Sequence, residues 1–365
     1  MHLTAVMLLK GKETHMKVET LKDNGEELRL RVSASAAEMT KAFTDGLDAF
    51  VLQYQLENQP GETSQEKIVS ALGEEDAQSA IYTAIINYLV PFALEKQGCL
   101  PVSTYGIESD ETPEPDKMFS FNMTVLVKPE FELSTYEPLT VSIDAKPSVN
   151  EADIDEQVSM LVRQFTAAKQ GVGADDPTLK VPEISDEWVA ENLKAMNIST
   201  VEQLRSTFRA TSEEELANRY EQAKMAAAME EYAKRFPGEL SEKMIEVMTQ
   251  ELFETFLSQL ASEGIQLEAF YAQQDLTEEE VRKNLSAQAG NQLMQGFILD
   301  AVFRHEGLKL EPADMIVAMK NIAPGREEEA LEAMRKSGRG PLLKEGAARM
   351  KAAGWILANT NFVVK

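Results

Sequence analysis

Leu240-Ser-Glu-Lys-Met-Ile-Glu-Val-Met-Thr-Gln-Glu-Leu-Phe-Glu-Thr-Phe-Leu-Ser-Gln-Leu260 decides how the chain is read. Met244, Met248, Leu252, Phe256 and Leu260 recur at intervals of four, and Ile245, Val247, Phe253 and Leu257 widen the stripe. The segment is therefore an amphipathic helix whose apolar face is broader than a surface helix needs. Thr277 to His305 has the same character, with Val281, Leu285, Leu293, Phe297, Ile298, Val302 and Phe303 behind a capping threonine and dipole-compatible acids. From Ser185 onward the pattern is essentially all helix, punctuated by Pro237-Gly238, Gly264, Gly307, Pro312, Pro324-Gly325 and Gly338 to Pro341. Helix–helix packing accounts for most such apolar residues. A sharper reading is that part of this Met- and Phe-bearing surface faces a groove that accepts varied apolar segments.

Upstream, the pattern is mixed. Val18 to Val32 predicts a hairpin about Asp23-Asn24-Gly25, with Leu28, Leu30 and Val32 alternating with charged residues. Ser35 caps a helix with Glu38 three residues on, and Ala42, Phe43, Leu47, Phe50, Val51 and Tyr54 carry it toward Pro60-Gly61. Helices follow over Ser64 to Leu72 and Asp76 to Gln97, the second ending at a C′ glycine, Gly98. Strands at Leu100 to Ile107 and Met118 to Val127 flank a solvated loop, Glu108 to Asp116, with five acids in nine residues. Extended chain from Pro129 to Ala145 precedes a helix over Glu151 to Gln170, capped by Asn150, and a flexible linker, Gly171 to Pro177. The expected fold is α+β: a small N-terminal sheet-plus-helices domain, 16–130, then a connector, helix and linker, 131–182, then a large all-α C-terminal domain with long helical arms, 183–365. Residues 1–15 read as an extension or tag-like leader.

Composition excludes several classes of function. With 61 Asp+Glu against 36 Lys+Arg the formal net charge is −25, so the molecule's field opposes phosphate backbones and no nucleic acid partner is expected. One cysteine, Cys99, and three scattered histidines, His2, His15 and His305, supply neither a disulfide framework nor a metal site. No apolar run approaches the ~20 residues of a membrane span, so no membrane is expected. No nucleotide, zinc-protease, thiol-redox or serine-hydrolase motif is present, and no cofactor is expected. Gly338-Arg339-Gly340-Pro341 superficially suggests a phosphate loop but lacks the Lys-Ser/Thr ending, and reads as an interhelical turn.

The order of elements, with Met16-Lys-Val-Glu-Thr, Leu94-Glu-Lys-Gln-Gly-Cys-Leu-Pro-Val102, Phe121-Asn-Met-Thr-Val-Leu-Val-Lys-Pro-Glu-Phe-Glu-Leu133, Val149-Asn-Glu-Ala-Asp-Ile-Asp-Glu-Gln157 and Pro182-Glu-Ile-Ser-Asp-Glu-Trp188, resembles the trigger factor family of ribosome-associated bacterial chaperones from Met16 to the C-terminus. Two departures stand out. The family's prolyl-isomerase domain falls where only Gly171 to Val181 intervene here, and a domain needs ~50 residues or more. The family's docking loop, G-F-R-x-G-K, corresponds to Glu57-Asn58-Gln59-Pro60-Gly61-Glu62, in which only Gly61 is kept, Gln59 replaces the Arg and Glu62 the Lys. The resemblance implies a non-enzymatic, ATP-independent holdase of the cytoplasm that binds unfolded or nascent polypeptides; the two departures imply that prolyl isomerisation is absent and ribosome binding weak or absent. The expected client-binding residues are Met244, Met248, Phe253, Phe256 and Leu257 on one arm and Leu293, Met294, Phe297 and Ile298 on the other, with core packing as the competing role of each. The alternative is a dedicated interaction module that uses the same surfaces to bury one specific partner or a second copy of the chain, a homodimer.

Overall fold

The computed structural model describes residues 16–56, 61–320 and 322–365. β1 (Lys17–Asp23) and β2 (Glu27–Ala34) form the expected hairpin. The Asn24 side chain accepts hydrogen bonds from the Glu26 and Glu27 amides, and Gly25 takes φ +86°, so a polar turn residue and a glycine together reverse the chain. On β2, buried Leu28, Leu30 and Val32 alternate with exposed Arg29 and Arg31. Ser35 caps α1 (Ala36–Lys41) in a full capping box with Glu38. The helix then widens into a π-helical turn, Ala42–Gly46, before α2 (Leu47–Gln53). Gly46 permits close approach there: a Cβ would stand 3.0 Å from Tyr88 Cβ.

α3 (Ser64–Leu72) and α4 (Glu74–Gln97) follow, then β3 (Ser103–Glu108) and β4 (Phe119–Leu126). The four strands make one antiparallel sheet in the order β1-β2-β4-β3. Its inner face, with Leu30, Val32, Phe119, Phe121 and Met123, meets Met39, Leu47, Ile85 and Leu89 of the helices. By length and composition α4 is apolar enough to cross a membrane, a point that the sequence expectation had not allowed. Its Ile81, Ile85, Ile86, Leu89 and Ala93 are spent on the core instead.

β5 (Thr140–Ile143) lies within the extended connector. α5 (Glu151–Gln170) starts at its Asn150 cap and stops at Gly171, which is left-handed at φ +68°. Turns lead to α6 (Asp186–Asn192), capped by Ser185, and α7 (Val201–Ala233), a 33-residue helix capped by Thr200. Then come α8 (Glu242–Ser262), α9 (Leu267–Gln274), α10 (Glu278–His305), α11 (Pro312–Lys320), α12 (Glu327–Lys336) and α13 (Gly340–Asn359). The chain does not end in helix, as expected, but in β6 (Asn361–Val364), which pairs in parallel with β5 from Thr140↔Asn361 to Ile143↔Val364. The α+β class, with a small N-terminal sheet-and-helix region ahead of a large helical part, is as the sequence implies.

Packing cuts across sequence order. Arg235–Gly354 clusters with the residues up to Tyr136 as one compact unit, and Glu137–Lys234 with Trp355–Lys365 as another. In the second unit, Ile154 and Val158 of α5 pack with Val189, Leu193 and Leu204, and Phe165 meets Trp188 edge-on at 6.0 Å. In the first, the roots of α8 and α10 are seated on the sheet domain: Met244, Leu293 and Phe297 form one cluster with Leu126, the last residue of β4.

Candidate functional site

The candidate site is built on α8 and α10, which pack side by side within the first unit. Apolar periodicity drives the pairing, and two aromatic groups fix its ends. At the root, Phe297 lies 5.0 Å from Phe131, which in turn lies 4.7 Å from Phe236. Gly238 accommodates Phe131, since a Cβ there would come within 3.2 Å of the ring. Farther along, Phe253 and Phe256 stand 6.2 Å apart, and Phe256 meets Phe270 of α9 edge-on at 5.1 Å. The Arg282 guanidinium sits 3.8 Å over the Phe253 ring while its Nε donates to Glu278 at 2.6 Å, so one cation closes the apolar cluster and keeps its charge paired.

Five of the nine residues expected to meet clients are placed in the interior. Met244, Phe253, Leu293 and Phe297 are only 3–7% exposed and Ile298 is fully buried, so in this fold they pack the arm and do not present a surface. For these five, the fold favours the core-packing role that the sequence also offered: Leu126, Phe131 and Phe236 pack with Met244, Leu293 and Phe297, and Arg282 lies over Phe253. Met248, Phe256, Leu257 and Met294 stay half-buried and reach the surface. Of the loop corresponding to the family's docking motif, Glu57, Asn58, Gln59 and Pro60 lie outside the described residues. Gly61 adopts φ +97°, and Glu62 leads into Thr63, the cap of α3.

A cleft of about 990 Å³ is lined by α8, by Arg282, Lys283 and Ser286 of α10, and by Ser103 at the start of β3. Glu242, Glu246, Gln250 and Glu254 recur every four residues along its α8 wall. In the sequence that polar stripe is masked by the broader apolar one and is marked only by its i, i+4 spacing. The Ser103 hydroxyl hydrogen-bonds the Glu251 carboxylate, tying the cleft to the sheet. Ile245 and Val247 add apolar lining, so the cleft combines apolar walls with carboxylates and three cations, Lys243, Arg282 and Lys283. Among the described residues no cluster of His, Cys, Asp and Glu is arranged to hold a metal ion. Cys99 is half-buried, and burial pushes its thiol up, away from the reactive thiolate.

The arm thus carries both partly exposed apolar side chains and an open amphipathic cleft. Two family models match the chain. The one described as bacterial trigger factor protein (TF) covers residues 16–161, and the one described as bacterial trigger factor protein (TF) C-terminus covers residues 200–358. Similar proteins include the trigger factor of Streptococcus mutans, 22% identical over 364 residues, an alignment covering 76% of this chain and 84% of that protein. The trigger factor of Pelotomaculum thermopropionicum is 22% identical over 377 residues, covering 78% and 84%. A solved structure described as "Promiscuous Substrate Recognition in Folding and Assembly Activities of the Trigger Factor Chaperone" aligns over 93% of this chain and 100% of that one, at 14% identity and a TM-score of 0.35, a score on which no conclusion rests. The two family models leave only residues 162–199 unmatched between them, where the structure has the end of α5, turns, α6 and the approach to α7. On the strength of these two models, in this order along the chain, the protein belongs to the trigger factor family.

Proposed function

We propose that the protein is an ATP-independent holdase that binds apolar segments of unfolded or nascent polypeptides along the α8–α10 arm. Residues 16–130 act as its N-terminal domain, 131–182 as a connector, helix and short linker in which Gly171 to Val181 stand where the family has an isomerase, and 183–365 as the helical body. The observation that carries the reading is that Met248, Phe256, Leu257 and Met294 stay partly exposed on α8 and α10, the two helices that also line the 990 Å³ cleft. Burial of client apolar area, at about 25 cal/mol per Å², supplies the driving force, and the ordering of the client opposes it. Flexible Met and rotatable Phe side chains suit clients of varied shape. The deeper residues Met244, Phe253, Leu293, Phe297 and Ile298 hold the arm in shape.

Residues 57–62 offer Glu57 and Glu62 and no Lys or Arg, so this loop does not dock on an RNA-rich surface by charge. Ribosome co-sedimentation at physiological salt is expected to be undetectable. Prolyl isomerisation is likewise expected to stay at background in a peptide assay, because Gly171 to Val181 is too short to enclose a proline ring. The reading is tested by photo-crosslinking from position 248 or 294 in cell extract. Adducts with many newly made chains support it, whereas a single stoichiometric adduct replaces it with a dedicated interaction module.

A further inference from the structure

The densest cationic stretch of the chain is Arg335-Lys336-Ser-Gly-Arg339-Gly-Pro-Leu-Leu-Lys344, with four cations and no acid in a protein of formal net charge −25. It spans the end of α12, the turn after it and the first turns of α13. All four cationic side chains are exposed. Lys336 has a loose contact with Glu332 at 3.5 Å, while Arg335, Arg339 and Lys344 make no ion pair among the described residues. Glu345, next to Lys344, is held by Lys128 and Arg349 at 2.5 and 2.6 Å, and a Glu95 carboxylate oxygen lies 3.6 Å from where a Cβ on Gly340 would stand.

The turn is held in one shape. Gly338 is buried at φ +72°, and a Cβ there would stand 2.9 Å from both the Phe92 amide nitrogen and its ring, so the loop lies directly on α4. The Arg339 amide donates to the Met334 carbonyl at 2.9 Å, and the Leu343 amide to the Arg339 carbonyl at 3.2 Å, which fixes both helix ends. Leu342, at the centre of the stretch, is 51% exposed. Interactions inside the chain explain Arg335 and Lys336, which sit favourably at the C-terminal end of α12. They do not explain Arg339 and Lys344, where the dipole of α13 disfavours a cation.

We propose that Arg335, Lys336, Arg339 and Lys344 form a preorganised docking surface for an acidic, leucine-bearing segment of another protein, with Leu342 making the apolar contact. It is separate from the α8–α10 arm and does not depend on the holdase reading. Charge count decides between protein and nucleic acid. Four cations neutralise about four phosphates, fewer than the ~6–10 contacts typical of strongly salt-dependent nucleic-acid binders. The field of a −25 molecule acts against a polyphosphate at long range. A short acidic peptide brings fewer charges into that field and gains an apolar contact from Leu342 that a phosphate backbone cannot make.

Fluorescence anisotropy of the full chain with a fluorescein-labelled peptide of Glu and Asp interspersed with Leu tests the proposal. The controls are the same peptide with Gln and Asn in place of the acids, and a labelled oligouridylate. The acidic peptide is expected to bind, to weaken about tenfold with R335E/R339E/K344E, and to weaken severalfold with L342S. The neutral triple variant R335Q/R339Q/K344Q, with an unchanged circular dichroism spectrum, is expected to lose most of the same affinity without reversed charge. Equal binding by either triple variant, equal binding of the neutral peptide, or tighter binding of oligouridylate than of the acidic peptide would overturn it.

Discussion

Asp300 on α10 is held by two cations at once. Lys128 Nζ lies 2.5 Å from Asp300 and 2.5 Å from Glu345, and Arg349 donates to both Asp300 oxygens at 3.0 and 2.9 Å and reaches Glu345 at 2.6 Å. Burial pushes the Asp300 carboxyl up, but the Arg349 and Lys128 contacts outweigh it and hold the group below the ordinary carboxylate range. Because the folded pKa is depressed, the stabilisation is complete above the unfolded value, about 4, and is lost as pH falls through the folded one. Asp300→Asn leaves two cations facing one carboxylate. With the site partly open to solvent, this is expected to cost about 2 kcal/mol in urea unfolding near neutral pH, and much less in strong acid. An equal loss at both pH values would mean that the network is not what the substitution removes. Tyr88 behaves in the opposite sense. Burial, aided by Asp45, pushes its phenol up to about 12, so stability is retained below pH ~10 and falls as pH rises toward 12. In Tyr88→Phe the alkaline limb of the stability curve is expected to flatten and a phenol titrating near 12 to vanish from the ultraviolet titration.

The helices were the legible part of this sequence, because their ends are written in local chemistry. Ser35 with Glu38, Thr63 with Glu66, and Thr277 with Glu280 all form reciprocal capping boxes, and Gly98 and Gly171 close helices in the left-handed conformation. The hairpin was equally plain from its Asn-Gly turn and alternation. The ending of the chain was not. Phe362, Val363 and Val364 are too short a run to announce a strand, and their partner on β5 is separated from them by more than two hundred residues of chain. The π-helical turn at Ala42–Gly46 was hidden for a related reason, since it answers to the close approach of Tyr88. β6 is further secured by Lys224 over the Phe362 ring at 4.8 Å and by Lys365 with Asp144 at 3.4 Å. Ending the chain after Thr360 is expected to remove amide-exchange protection from Thr140 to Ile143 and to destabilise the unit holding α5 and α7 by about 1–2 kcal/mol. Protection unchanged over those residues would show that β5 is held without β6.

Across the whole molecule, the candidate site was half legible. Periodicity identified α8 and α10 as wide apolar helices, yet it could not separate residues that face the sheet domain from those that face outward. That division is set by Leu126, Phe131 and Phe236, which lie far from one or both arms in sequence and reach them only in the fold. Hence Met244 and Leu293 are packing residues while Met248 and Met294, four residues and one residue further along, reach the surface. The net charge of −25 opposes the approach of two copies at long range, since like-charged molecules repel. In the proposed function, the outward-facing residues of the arm hold unfolded chains. Its most direct test is light scattering of chemically denatured proteins diluted into buffer with an equimolar amount of the wild type, or of Met248→Ser/Phe256→Ser/Leu257→Ser/Met294→Ser checked for native helicity. Suppression of aggregation by the wild type, largely lost in the folded quadruple variant, is the predicted result; wild type without effect on any of several test proteins, or a variant as effective as wild type, would contradict it.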